Sequence, residues 1–260
     1  MAEQVRKSDA GRGPCPVYRT ASTRFRAVAP GPVLAPGRGV SRARPIIKGV
    51  RLLLTRRVRG QVLLLTPSKR TNRIVAYVAA VIAKKWGIWL HAIAALGNHW
   101  HVCLTDPHGN IVAFERDCHQ FIARAVNAHH GEFESLWSSA PTSRVECEEP
   151  DDLVGKIAYT MANPVEAGMV RYGKSWPGVR RAWPSKPRVI KRPPKFFRGH
   201  ERGGKWPKEA VLEFTRPPGY DELSDDVARK LIMGQLATGD CMAGAGYPSK
   251  EHVARSSASS

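Results

Sequence analysis

Apolar and polar side chains follow two different periods along the middle of the chain, between residues 50 and 163. Short apolar runs bounded by turn residues predict strands, and apolar positions three and four residues apart predict amphipathic helices. Two runs, 50–55 and 61–66, are expected to pair across a basic turn. The elements predicted after them are a helix over 68–86, strands at 88–96 and 99–105, a helix from 111 to about 130, a strand at 142–147 and a helix at 151–163.

The order of these elements defines the predicted fold. Strand, helix, strand, strand, helix, strand is the split βαβ order of ferredoxin-like domains, and Gly97-Asn98 supplies the tight turn between the two central strands. We therefore predict an α+β fold, an antiparallel sheet with helices on one face, flanked by largely irregular basic extensions. The opposite face of the sheet remains available for chemistry.

Charge divides the 260 residues into four predicted segments. The net charge of +19 and the pI near 10.2 favour a polyanionic partner, nucleic acid above all. Residues 1–49 form a basic, Gly- and Pro-rich arm that we predict to be disordered, and residues 50–172 form the folded domain. Residues 173–219 are a basic extension rich in proline and aromatic residues, and residues 220–260 contain a short helix and a disordered tail.

Aromatic residues are interleaved with Arg, Lys and Pro in the predicted extension. Such rings can stack unpaired bases while the cations hold phosphates, which predicts a surface for single strands. Equally, the extension can wrap on the core with its rings as packing anchors. The residues concerned are Trp176, Trp183, Phe196, Phe197 and Trp206.

The cysteines and the apolar runs indicate the compartment. The five cysteines are widely spread, odd in number and without a CxxC pair, so they predict neither a disulfide framework nor a thiolate zinc site. No run approaches the length of a membrane helix, and the N-terminus lacks the apolar region of a secretory signal. We expect a soluble protein in a reducing cytoplasm, with no membrane partner.

His99 and His101 are the first candidate site residues. Side chains alternate along a strand, so the two imidazoles project from one face about 7 Å apart. Two imidazoles placed in this way can hold one divalent cation. The alternatives are two partly exposed strand histidines with no ligand, or a zinc site that also uses Cys103 on the same face.

The predicted helix 151–163 carries the second candidate pair. On a helical wheel Asp152, Lys156, Tyr159 and Asn163 form a narrow polar stripe, opposite an apolar side. Tyr159 and Asn163 therefore lie one turn apart on one face. Alternatively, Tyr159 is a half-buried ring at the edge of the core and Asn163 caps the helix.

Together the two pairs predict a site that nicks DNA. A cation held by His99, His101 and an amide or carboxylate oxygen can polarise a phosphodiester, and a tyrosine hydroxyl can attack its phosphorus. Lys156 could lower the pKa of the Tyr159 phenol or hold a phosphate oxygen. Basic residues near the predicted turn and helix start are candidate contacts to the DNA backbone: Arg56, Arg57, Arg59, Lys69, Arg70 and Arg73.

Three stretches resemble the single-tyrosine HUH transposases, the insertion-sequence-200-like and REP-associated tyrosine transposases. LHAIAALGNHWHVCLTD (90–106) is similar to the strand pair that carries the HUH motif of this family, and SLW (135–137) is similar to its Gly-x-Leu-Trp segment. KIAYTMANPVEAGMV (156–170) is similar to its tyrosine helix and the Asn-Pro-Val and Ala-Gly that follow. The resemblance covers roughly residues 51–171.

The resemblance implies a function and a role for each matching residue. His99 and His101 would bind Mg²⁺ or Mn²⁺, Asn163 would be the third protein ligand, and Tyr159 would be the nucleophile. Members of the family have a ferredoxin-like fold, usually dimerise, recognise hairpins in single-stranded DNA and work through a 5′-phosphotyrosine link. This predicts a bacterial, nucleoid-associated homodimer. The alternatives are a domesticated or inactive hairpin-DNA-binding relative and a relaxase or replication-initiator nickase.

Overall fold

The computed structural model describes residues 46–194, 196, 206–228, 230 and 232. The predicted arm 1–49, except its last four residues, and the predicted tail after 232 lie outside these ranges. Within them, no helix is long and apolar enough to cross a lipid bilayer. The elements are β1 (Val50–Arg57), α1 (Lys69–Trp86), β2 (Trp89–Ala95), β3 (His99–Asp106), α2 (Ile111–His130), β4 (Ser143–Glu146), α3 (Pro150–Glu166), β5 (Arg180–Ala182), β6 (Arg188–Lys191) and β7 (Glu209–Leu212).

The main sheet has five strands in the order β4-β1-β3-β2-β5, and all pairs are antiparallel. Its first four strands, with α1 and α2 between them, reproduce the split βαβ order. The predicted α+β, ferredoxin-like fold is therefore confirmed. The fifth strand, β5, comes from the predicted C-terminal extension and pairs with the outer edge of β2.

Helices α1 and α2 cover one face of this sheet. Ser68 caps α1 by accepting a hydrogen bond from the Thr71 backbone N–H, and Gly87 ends the helix in a left-handed conformation (φ 66°) that suits glycine. The helices bury Tyr77 and Phe114 against Val102 of β3, all three at 0% exposure. This face holds the main hydrophobic core.

Helix α3 lies on the other face, so the prediction that helices cover only one face is wrong for this element. Leu153 and Ile157 of α3 pack on Leu53 and Cys103 in a separate apolar cluster. The helix also continues to Glu166, beyond the predicted end before Pro164. The proline gives up one backbone bond, and the Ala167 N–H closes the last turn by donating to the Asn163 carbonyl.

The predicted pairing of run 61–66 with β1 is also wrong. A 3-10 turn occupies Arg59–Gln61, where Gly60 and Gln61 take positive φ angles of 51° and 56° that end the extended chain. Beyond it, Leu65 is buried and its N–H donates to the Gly97 carbonyl, whereas Leu63 is 57% exposed. The run supports the β2–β3 turn.

The C-terminal extension contains more regular structure than the predicted irregular chain. Besides β5, strands β6 and β7 form a separate two-stranded sheet. Phe196 and Trp206 pack against Tyr77 of α1, with ring centroids 5.4 and 6.0 Å away, which favours the packing role for these two rings. Phe197 lies outside the described residues. Residues 225–228, 230 and 232 are helical, within the short helix predicted there.

Candidate active site

Strand β3 places His99 and His101 on the face of the sheet that α3 approaches. The intervening Trp100 points to the main core and is 1% exposed, as strand alternation predicts. The two imidazole centroids lie 4.8 Å apart with nearly perpendicular planes. In the β1–β3 register Thr55 is opposite His101 and Arg57 is opposite His99.

Each imidazole is oriented through its Nδ1 atom. Nδ1 of His99 donates to Oδ1 of Asn98 over 2.6 Å, and Nδ1 of His101 shares a hydrogen bond of 2.8 Å with the Thr55 hydroxyl. Nε2 of His101 is buried and has no hydrogen-bond partner among the described residues. A fixed ring with a free Nε2 atom is the usual state of a metal-binding histidine.

Burial keeps both imidazoles neutral at physiological pH. Desolvation lowers the pKa of His101 to about 3, with smaller contributions from the nearby His99 and Arg57. Desolvation also lowers the pKa of His99, although the hydrogen bond of its ring to the Asn163 side chain opposes the shift. Neutral imidazoles keep the lone pairs that bind cations.

Helix α3 brings the predicted tyrosine, lysine and amide to the same place. The Tyr159 ring lies 5.7 Å from the His101 ring, centroid to centroid, and is 42% exposed. The Asn163 side chain is buried and hydrogen-bonds the His99 ring. The predicted polar stripe of α3 therefore faces the predicted histidine pair within one chain.

A cleft of about 520 Å³ lies beside the histidine pair, Tyr159 and Lys156. Its walls include both imidazoles, Tyr159, Lys156 and Arg57. The two cationic side chains give the cleft a positive charge, and the exposed phenol is accessible from solvent. This combination suits an anionic substrate.

The donor atoms fit a divalent cation. Two neutral imidazoles and the Asn163 amide oxygen form a mixed nitrogen and oxygen set, and the unpartnered Nε2 of His101 is the atom that a cation would satisfy. Within the described part of the chain, no group of three or more His, Cys, Asp or Glu side chains could hold a metal. Asn163 would be the third donor beside the two imidazoles.

The three arginines at the end of β1 are not equivalent. Arg57 lines the cleft. The Arg56 guanidinium instead donates to the Ala140 and Ser138 carbonyls, and Arg59 forms ion pairs with Glu132 and Glu134. Only Arg57 of the three is placed toward the candidate substrate.

The basic residues at the start of α1 lie elsewhere. Lys69 and Arg73 line a second cavity that shares no residue with the cleft, and Arg70 donates to the Pro194 carbonyl. Lys69, Arg70 and Arg73 therefore do not join the histidine and tyrosine residues. Cys103 does share the histidine face, but its side chain is fully buried and forms a hydrogen bond with Thr160. This arrangement does not favour Cys103 as a zinc ligand.

Sequence reasoning missed Thr55 and Asn98. Asn98 adjoins the first histidine and could have been found from that position alone. Thr55 is 46 residues away from His101, so only the strand register brings them together. Both side chains set the orientation of the imidazoles.

Comparisons with known proteins give eight similar chains among the solved structures, including the following two. A REP-associated tyrosine transposase bound to a REP hairpin shares 18% identity, covering 53% of this chain and 79% of the other, with a TM-score of 0.45. A proposed transposase from Deinococcus radiodurans R1 shares 15% identity, covering 42% and 88% of the two chains, with a TM-score of 0.33. No protein-family model and no curated protein matches the chain.

Proposed function

We propose that this chain is a metal-dependent transposase that cleaves and rejoins single-stranded DNA through a 5′-phosphotyrosine intermediate. The observation that carries the proposal is the single cleft in which an exposed tyrosine lies 5.7 Å, ring to ring, from a buried imidazole with a free nitrogen. The motif resemblance of residues 156–170 points to the same chemistry.

Tyr159 performs both covalent steps. Its phenol oxygen bonds to the phosphorus of the scissile phosphodiester, the bond from phosphorus to the 3′ oxygen breaks, and that oxygen leaves as a 3′-hydroxyl carrying the proton. The 5′ end of the strand stays on the enzyme. A second 3′-hydroxyl then attacks the phosphotyrosine and returns the proton to the phenol, so no external energy source is needed.

His99, His101 and Asn163 would hold Mg²⁺ or Mn²⁺. When bound, the cation would withdraw charge from the scissile phosphate and so favour attack. Thr55 and Asn98 fix the two rings through their Nδ1 atoms. The protein contributes rigidity here, because buried, oriented and neutral imidazoles need little rearrangement to bind.

Lys156 and Arg57 bind the substrate phosphates. Both line the cleft beside the phenol, and cations in a partly desolvated cleft stabilise the charge that develops on the phosphoryl oxygens. The substrate is single-stranded or hairpin DNA, and the homodimer remains a prediction.

An adduct assay tests the proposal. The full chain is mixed with a single-stranded hairpin oligonucleotide and Mn²⁺, and covalent complexes are resolved on a denaturing gel. We expect an adduct with wild type and none with Tyr159→Phe. Tyr172→Phe is the matched control, because Tyr172 is 51% exposed and does not line the cleft.

Other outcomes would support the alternatives. A shifted oligonucleotide without any adduct would indicate a DNA-binding relative that lacks the chemistry. Nicking without joining between two oligonucleotides would favour a relaxase-type nickase. An adduct that persists in Tyr159→Phe would contradict the assigned nucleophile.

A further inference from the structure

We propose that a second groove, separate from the cleft, binds the backbone of a single-stranded nucleic acid. The groove has a volume of about 650 Å³ and lies between α1, β5 and the β6–β7 sheet. The cationic side chains along it are Lys69, Arg73, Arg180, Arg181, Arg188 and Lys191. The proposal concerns binding alone and does not depend on the chemistry assigned to Tyr159.

Three of the cations along the groove have no ionic partner among the described residues. No acidic side chain lines the groove, and Arg73, Arg188 and Lys191 are exposed and form no ion pair among the residues that the structure describes. Elsewhere the protein does pair its arginines, as Arg144 with Glu115 shows. The groove therefore presents a concentrated positive field to a polyanion.

The start of α1 adds to this field. Its first turn contains Lys69 and no acidic residue, and one turn further lies Arg73. Cations at a helix N-terminus oppose the helix dipole. A phosphate bound among them would turn that unfavourable arrangement into a favourable one, because it would meet both the side-chain charges and the positive end of the helix.

Hydrogen bonds and close packing fix the wall of the groove at Pro177 and Gly178. The Asn72 side chain donates to the Pro177 carbonyl over 2.7 Å, and the Trp176 indole donates to the Ala95 carbonyl over 3.1 Å. A Cβ atom on Gly178 would clash with the Trp176 ring and lie 2.9 Å from the Ala95 carbonyl oxygen. The site is thus built before ligand arrives, which lowers the entropy lost on binding.

The shape favours a nucleic acid strand over a single phosphate. The cations come from three separate elements, α1, β5 and β6, so they suit several phosphates in succession. Apolar residues lie among them, namely Ala76, Val179, Ile190 and Leu212. Such a surface can contact sugars and bases between the phosphates.

Arg180 connects the groove to the catalytic helix. It lines the groove, and its Nε donates to the carbonyl of Met161 in α3, two residues after Tyr159. A hydrogen bond thus links the wall of the groove to the helix that carries the candidate nucleophile. A strand bound here would lie against a residue that contacts the helix of the cleft.

Fluorescence anisotropy tests the groove. The full chain is titrated against a labelled, unstructured single-stranded oligonucleotide in EDTA, so that no cation contributes at the cleft. The groove variant Arg73→Gln, Arg188→Gln, Lys191→Gln is expected to bind about tenfold more weakly. The slope of log affinity against log salt should fall by about two, since each single-strand phosphate contact contributes roughly 0.7.

The control variant carries Lys48→Gln, Lys84→Gln and Arg124→Gln. These three cations are exposed and lie outside both cavities, so the change in net charge is the same. We expect less than about a twofold loss of affinity. Arg188→Gln alone should give an intermediate loss, which keeps the test valid if the triple groove variant folds poorly.

Three results would overturn the proposal. One is an equal loss of affinity in the groove and control variants, which would show an effect of net charge alone. Another is unchanged binding by a folded groove variant. The third is displacement of the oligonucleotide by polyglutamate at equal charge concentration. The anisotropy titration contains EDTA and measures no covalent step, so failure of the adduct assay and failure of the groove are separable.

Discussion

The two faces of the main sheet are built from the same strands but have different roles. On β3, Trp100, Val102 and Leu104 enter the core under α1 and α2, with at most 1% exposure. His99 and His101 alternate with these residues and therefore face α3. This helix covers the opposite face only in part. The closed face stabilises the fold, and the partly covered face can hold polar groups in place.

The partly covered face also lowers the stability of the fold. An unpartnered buried polar atom such as Nε2 of His101 costs roughly 1–3 kcal/mol. The protein tolerates this cost next to a core that is apolar and tightly packed. A ligand that satisfies the nitrogen would recover it, so the destabilising feature marks the place where binding is expected.

Substitutions of the adjacent β3 residues Trp100 and His101 should give the largest difference between the two faces, one in stability and the other in Mn²⁺ binding. Trp100→Ala removes a fully buried ring and should lower the free energy of unfolding by about 3–5 kcal/mol. His101→Leu keeps the volume and removes the unpartnered nitrogen, so stability should stay within about 1 kcal/mol while Mn²⁺ binding is lost. Denaturant unfolding and calorimetric Mn²⁺ titration measure the two effects. A His101→Leu protein that still binds Mn²⁺ would contradict the comparison.

Thr55 offers a finer test of the partly covered face. Thr55→Val removes the hydroxyl that orients His101 and should weaken Mn²⁺ binding about 10- to 100-fold. Thr55→Ser keeps the hydroxyl and should remain close to wild type. Equal affinities in the valine and serine variants would show that the hydrogen bond does not position the ring.

Low pH should destabilise the protein through His91, a buried histidine outside the cleft. Both nitrogens of His91 are hydrogen-bonded, to the Thr105 hydroxyl and the Thr215 carbonyl, and burial lowers its pKa to about 4. The unfolded chain takes up this proton below about pH 6.5 and the folded chain does not. The free energy of unfolding should therefore fall as the pH falls from 6.5 towards 4, by about 2 kcal/mol at pH 5 from His91.

The control for acid is His91→Gln, which lacks the titrating group. Its free energy of unfolding should depend less steeply on pH than that of wild type over this range, measured by urea denaturation at each pH. Identical pH dependence in both proteins would mean that His91 titrates alike in the folded and unfolded chains. Its burial would then have no role in acid stability.

Local patterns predicted the parts of the site that lie on single elements. Strand alternation put His99 and His101 on one face, and the helical wheel put Tyr159 beside Asn163. The contact of Thr55 with His101 could not be predicted, because it depends on the register of β1 and β3. The separation of Lys69 and Arg73 from the cleft likewise depends on packing between distant segments.

The same limit explains the errors in the fold. The apolar run 61–66 resembles a strand, and periodicity in so short a segment does not distinguish a strand from a packed turn. Pro164 predicts a helix end, yet the buried last turn retains the helix. The strands β5–β7 follow a Pro-rich, charged sequence, and pairing with β2 and packing on α1 decide their structure.

The most direct test of the central claim is to identify the residue that becomes attached to DNA. The adduct formed with a hairpin oligonucleotide and Mn²⁺ would be digested with nuclease and protease, and the modified peptide sequenced by mass spectrometry. We predict a nucleotide linked through its 5′ phosphate to Tyr159. A nucleotide on any other residue, or on Tyr159 through a 3′ phosphate, would contradict the account.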